Sequence, residues 1–179
     1  PIIMYGTGNG ADKVLDTFES LGISIDGVTA SSGFVRERFF RGFPVKPIEY
    51  FEERLESFTV VITFGSSIPE VMENIYKLPE KHTVLVPCVP VIGDEICDDN
   101  FIKRNIEKIE KAYSLMADEV SKKAFSGYLE FVFGGELKYL KEITTDENEV
   151  YENIISFGSD ETFVDIGAYR GDTVEGFVK

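Results

Sequence analysis

The feature that most restricts this chain is the alternation of strand-like and helix-like segments through residues 1–90. Residues 2–5 form a short apolar run that ends at a glycine-rich turn. Val14, Leu15, Phe18 and Leu21 then recur at helical spacing, and Gly22 is placed as a C-terminal stop. Residues 23–28 read as a second strand. Residues 34–45 are mixed in character, with Gly42-Phe43-Pro44-Val45 a turn into an extended piece. Pro47 opens a helix expected to reach about residue 58, and residues 59–64 form a buried strand. Ser67-Ile68-Pro69-Glu70 matches a capping box, with proline in the first turn of a helix that ends near Leu78. Residues 83–86 close the series as another strand. Strands alternating with helices of this size imply a parallel sheet covered on both faces.

The pattern changes after Pro87 and Pro90. Ile102, Ile106, Ile109, Tyr113 and Met116 follow one helix face, with Lys and Glu between them. Asp118 is placed to cap a second helix, in which Val120, Ala124, Tyr128, Leu129 and Val132 repeat the spacing until Gly134-Gly135. Residues 136–140 add a short turn, and residues 144–150 are polar and acidic. The expected organisation is α/β: a Rossmann-like parallel-sheet domain of nucleotide-binding type over residues 1–90, a helical connector over 91–150, and an incomplete second domain beginning at 151.

Charge and cysteine content narrow the classes of partner. The 32 acidic residues against 18 basic give a net charge of −14. Such a surface repels phosphate backbones, which argues against nucleic-acid binding. No apolar run approaches the roughly 18 residues of a membrane span, and no secretory signal is visible. Cys88 and Cys97, with His82 as the single histidine, make no metal-ligand pattern. Reduced thiols and a cytoplasmic location are the expectation. His82 reads as a surface or capping residue.

Two glycine turns carry the candidate chemistry. The first, Gly6-Thr7-Gly8-Asn9-Gly10-Ala11, fits G-x-G-x-x-A. Gly6 permits a tight turn, Gly8 allows close approach to a phosphate, and Ala11 lets the helix pack on the strand. Gly6, Gly8, Asn9 and Gly10 are therefore candidate nucleotide-binding residues at a helix amino end. The acidic residue expected about 20 positions on is missing. Thr29, Ala30 and Ser31 stand there, and Asp26 lies within the predicted strand. A purely structural strand-to-helix turn competes equally with a nucleotide or nucleotide-sugar site.

The second turn is Asp165-Ile166-Gly167-Ala168-Tyr169-Arg170-Gly171, preceded by the apolar run 162–164 and followed by a nascent helix. It resembles the first motif of class I methyltransferases, D-x-G-x-G-x-G, with Tyr169 where the middle glycine often stands. Asp165 sits at the carboxyl end of the predicted strand, where ligands collect in open α/β sheets. Asp172 or Thr173 is placed to cap the helix.

Residues 164–173 together with Phe177 resemble the opening of the FkbM family of methyltransferases. Residues 118–123, residues 134–140 and the Tyr5–Gly10 turn resemble the segments that precede that motif in two-domain members. The resemblance spans nearly the whole chain. It implies S-adenosylmethionine-dependent O-methylation of a small-molecule or carbohydrate hydroxyl. Asp165, Gly167, Ala168, Tyr169, Gly171 and Asp172 would form the cofactor turn, with Asp165, Gly167 and Gly171 lining its methionine end. It also implies that the remaining adenine contacts and the catalytic base lie beyond Lys179, so that the chain alone is a truncated, inactive fragment. No catalytic residue is assigned. Two other readings stand beside this one: a non-catalytic nucleotide or nucleotide-sugar binding module, and an interaction domain in which the connector forms a homo-oligomer or interdomain surface.

Overall fold

The structure is a computed structural model that describes residues 1–31, 39–66, 68–90, 95–146, 149–155 and 158–178. The chain forms two compact units, residues 1–143 and 144–179.

The first unit is built on a six-stranded sheet: β1 (Ile2–Tyr5), β2 (Gly27–Thr29), β3 (Phe39–Phe40), β4 (Phe43–Lys46), β5 (Thr59–Ile62) and β6 (Thr83–Leu85), in the order β3-β4-β2-β1-β5-β6. All neighbours are parallel except β3 and β4, which pair antiparallel. Leaving out that short hairpin strand, the sequence of strands across the sheet is that of a Rossmann-like fold, with its reversal point between β1 and β5.

Alternation along the strands divides the core in two. Ile3, Tyr5, Val60, Ile62 and Val84 face one side and pack with Phe51, Phe58 and Ile75. Met4, Val28 and Val61 face the other and pack with Ala11, Val14 and Leu15 of helix α1 (Asn9–Ser20). Gly22 ends α1 as expected: at φ +70° it lets Gly22 and Ile23 donate back to Glu19 and Phe18 in a Schellman turn. Arg41, at the tip of the β3–β4 hairpin, reaches α1 and pairs with Asp12, Asp16 and Glu19, most closely Asp16 at 2.8 Å.

Helix α2 spans only Ile48–Glu52, not the twelve residues to Phe58 that the sequence suggests. The Arg54 side chain donates to the Tyr50 carbonyl at 3.0 Å, and the Arg54 N–H turns to Phe51, so the helical ladder tightens and stops. Helix α3 (Pro69–Lys77) begins with proline at its first position as predicted. The Ser67 half of the expected capping box lies outside the described residues, and the Ser66 hydroxyl accepts from the Ile68 N–H at 3.1 Å.

Helices α4 (Asp99–Ser114) and α5 (Glu119–Gly134) carry side-chain caps from Asp98 and Asp118. They lie antiparallel, with aromatic contacts between Phe101 and Phe133 and between Tyr113 and Phe125. Neither helix holds a buried residue, and Ile106, Tyr113, Val120 and Tyr128 of the predicted stripes are exposed. Gly135 ends α5 in the left-handed conformation. The turn expected over residues 136–140 is a full helix, α6 (Leu137–Ile143), which seats Leu137 in the core.

In the second unit, residues 150–155 form a π-helical turn and α7 spans Asp172–Phe177. The predicted strand over 162–164, ending at Asp165, makes no ladder with any described residue.

Candidate functional site

The first glycine turn lies at the carboxyl end of β1, beside the reversal point of the sheet. Its glycines do different work. Gly6 has φ +129°, and a β-carbon there would collide with Thr63 Oγ1 and Phe64. Gly10 packs against the Thr63 carbonyl so closely that no β-carbon fits. Gly8, by contrast, has an ordinary φ of −93° and open space around it. Ala11, in the first turn of α1, is fully buried. Thr63 is thus the residue that shapes the turn from below. It is 7% exposed, and both its N–H and its hydroxyl donate to the Tyr5 carbonyl, at 3.1 and 3.0 Å. The sequence signal for it is a polar residue breaking an apolar run at the end of a strand.

Nothing at the end of β2 replaces the missing ribose acceptor. Ser31 hydrogen-bonds the Tyr5 hydroxyl at 2.6 Å. Asp26 lies just before β2, at the opposite end of the strands, where its Oδ2 accepts from the Ile2 N–H at 2.7 Å. Of the four glycine-turn candidates, Gly8, Asn9 and Gly10 are solvent-facing at the start of α1.

The second turn is built from left-handed residues. Gly167, Tyr169 and Gly171 have φ of +95°, +42° and +78°. Tyr169 therefore adopts the conformation that a glycine takes without cost, which accounts for glycine being common at that place in the motif. Gly171 occupies the N-cap of α7 with no side-chain cap bond. This corrects the expectation that Asp172 or Thr173 caps the helix: Asp172 is the first residue inside it, where a carboxylate suits the helix dipole. Asp165 precedes the turn, and its Oδ2 is buried with no hydrogen-bond partner among the described residues. Ala168 accepts from the Gly171 N–H across the bend. A buried carboxylate oxygen without a partner costs free energy in the absence of a donor, so this site has an acceptor to offer. Phe163 stacks on Phe177 at 4.5 Å and ties the segment before Asp165 to α7.

A further polar pair went unread in the sequence. Glu52 Oε1 meets His82 Nε2 at 2.9 Å and Lys81 Nζ at 3.6 Å. The His82 side chain is 8% exposed and stacks on Phe58 at 4.3 Å, so it is an enclosed residue, not the surface or capping one expected. The His82 hydrogen bond, reinforced by Lys81 and opposed by partial burial, holds the Glu52 carboxyl below its ordinary value. Among the described residues no group of three or more His, Cys, Asp or Glu side chains could hold a metal, and no helix is long and apolar enough to cross a membrane.

No family model and no curated protein matches the sequence. The fold is similar to that of a crystal structure of methyltransferase FkbM from Methylobacillus flagellatus KT, with a TM-score of 0.62 at 16% identity. The similarity covers 99% of this chain and 51% of that one, so the chain spans about half the length of the structure it matches. Its mixed α/β architecture, with a mostly parallel sheet, is methyltransferase-like.

Proposed function

We propose, from a fold shared with a methyltransferase along almost the whole chain, that this polypeptide contributes the first cofactor loop of an S-adenosylmethionine-dependent O-methyltransferase. The observation that carries the reading is the buried Oδ2 of Asp165, unpartnered among the described residues, beside a bend of left-handed residues. A carboxylate so placed accepts hydrogen bonds and offsets positive charge, which suits the α-amino and sulfonium groups of the cofactor. Gly167 and Gly171 keep side chains out of the bend, and Ala168, Tyr169 and Asp172 complete its wall. The cofactor, when bound, would supply an activated methyl group that passes to an oxygen nucleophile as the neutral thioether S-adenosylhomocysteine leaves. The protein's part is to hold donor and acceptor in line, a contribution worth about 7–11 kcal/mol in favourable systems. The acceptor class we assign is a sugar or natural-product hydroxyl, in a soluble cytoplasmic enzyme.

The test uses a polypeptide that continues past Lys179 through the rest of the methyltransferase fold. Calorimetry should detect S-adenosylhomocysteine binding, and Asp165→Ala should weaken it about tenfold or more, the value of one or two charge-assisted hydrogen bonds. Undiminished affinity in that variant would remove the assignment.

A second reading, a nucleotide or nucleotide-sugar module at Gly6–Gly10, draws support from the open surroundings of Gly8 at the start of α1. The fixed contacts of Gly6 and Gly10 with Thr63 favour a structural role for those two glycines.

A further inference from the structure

On the side opposite α1, a cleft opens at the carboxyl ends of the strands beside the short α2. A channel of about 440 Å³ runs there, bounded by α2, the second half of α3 and the residues following β1, β2 and β4. Its volume falls in the roughly 300–1,000 Å³ range of small-molecule sites. Two fixed polar pairs mark it. One is formed by the Tyr5 and Ser31 hydroxyls, 2.6 Å apart, with Tyr5 held in the core by an edge-to-face contact with Phe64. The other is Glu52 and His82, with the imidazole locked against Phe58. Asn74 lines the wall between α3 and these pairs, together with Glu49, Lys77 and Lys81.

The charges in this wall compensate one another. Lys77 is taken by Glu73 at 2.7 Å and Lys81 by Glu52 at 3.6 Å. An anion would meet the carboxylates of Glu49 and Glu52, and a cation would meet the two ammonium groups. A neutral ligand with many hydroxyls satisfies both kinds of group, because each hydroxyl donates and accepts. Groups already held by packing lose little entropy on binding, which favours the prearranged pairs as contacts.

We infer that this channel binds a neutral polyhydroxylated small molecule the size of a mono- or disaccharide, with Glu52 accepting from ligand hydroxyls, Asn74 donating to them and the Tyr5–Ser31 pair closing one end. The inference concerns the sheet-containing unit by itself. It can fail without touching the cofactor reading, and the cofactor reading can fail without touching it.

The test is saturation-transfer NMR on the 179-residue chain. The probes are glucose, galactose, mannose, N-acetylglucosamine, their methyl glycosides and maltose, with inorganic phosphate as the anionic control. At least one sugar is expected to receive saturation, with a dissociation constant near or below about 1 mM. Asn74→Ala and Ser31→Ala, which leave the Glu52–His82 contact intact, should each weaken it about threefold to tenfold, Asn74→Ala with an unchanged melting temperature. Glu52→Gln should weaken it at least as much. Absence of transfer to every sugar, equal transfer in all three variants, or displacement of sugar by phosphate would each overturn the inference.

Discussion

The carbonyl oxygen of Thr63 occupies the space that a β-carbon on Gly10 would need. The residue that follows β5 and the first turn of α1 are therefore in backbone contact through a glycine, and the glycine-rich turn is a packing device at this point whatever it binds. Gly8, two residues earlier, meets nothing within 4 Å.

The two positions should separate on substitution. Gly10→Ala gains helix propensity of up to about 1 kcal/mol but must displace backbone, at a cost of about 1–3 kcal/mol. A net destabilisation on the order of 1–2 kcal/mol is expected in urea unfolding. Gly8→Val exchanges a good N-cap residue of α1 for a poor one but displaces no backbone, so it should cost about 1 kcal/mol or less. Gly8→Val is thus a clean probe of the second reading. A thermal shift with a nucleotide sugar or NAD that disappears in this folded variant would establish a nucleotide site, and no shift in the wild-type chain would leave the turn a scaffold.

Glu52 gives the chain an acid-sensitive contact. Its carboxyl is held below the ordinary 4.5 by His82. A group with a depressed folded value stabilises the fold above its unfolded value, and that contribution is lost as pH falls through the folded value. Stability should accordingly decline below about pH 4.5, and Glu52→Gln should flatten this part of the profile, followed by the urea midpoint against pH. An acid limb identical in the variant would show that Glu52 contributes nothing to it.

The Asp118 carboxylate accepts from the Ser121 N–H at 2.7 Å at the head of α5, a bond that lowers its proton affinity. Asp118→Ala should speed hydrogen exchange at Ser121 and along the first turn of α5, whereas Asp118→Ser, which keeps a capping oxygen, should restore most of the protection. Exchange that is equally fast in both variants would mean that the cap does not limit opening.

The parts of the fold that could be read from the residues are those in which local chemistry and tertiary packing agree. Strands β1, β5 and β6 are continuous apolar runs, as buried parallel strands require, and Gly22, Gly135, Pro69 and Asp118 mark helix ends by their own backbone or side-chain chemistry. The early end of α2 was not readable, since residues 53–58 contain no glycine or proline, and the Arg54 contact with the Tyr50 carbonyl leaves no local sequence signature. The segment before Asp165 has strand composition, but a strand is a relation between two segments and composition describes one. Pairs such as Glu52 with His82 and Tyr5 with Ser31 are separated by 30 and 26 positions, so no local pattern announces them. The left-handed Tyr169 was hidden for another reason: its side chain disguises a backbone need that a glycine would have declared.

The bond from the Val86 N–H to the Gly135 carbonyl, at 2.8 Å, falls immediately past β6, which is itself only three residues long. At the far side of the sheet, β3 is two residues long. Among the described residues, neither margin therefore offers a long run of main-chain donors and acceptors on which another polypeptide could lay a strand. Such short margins disfavour edge-to-edge association through this sheet.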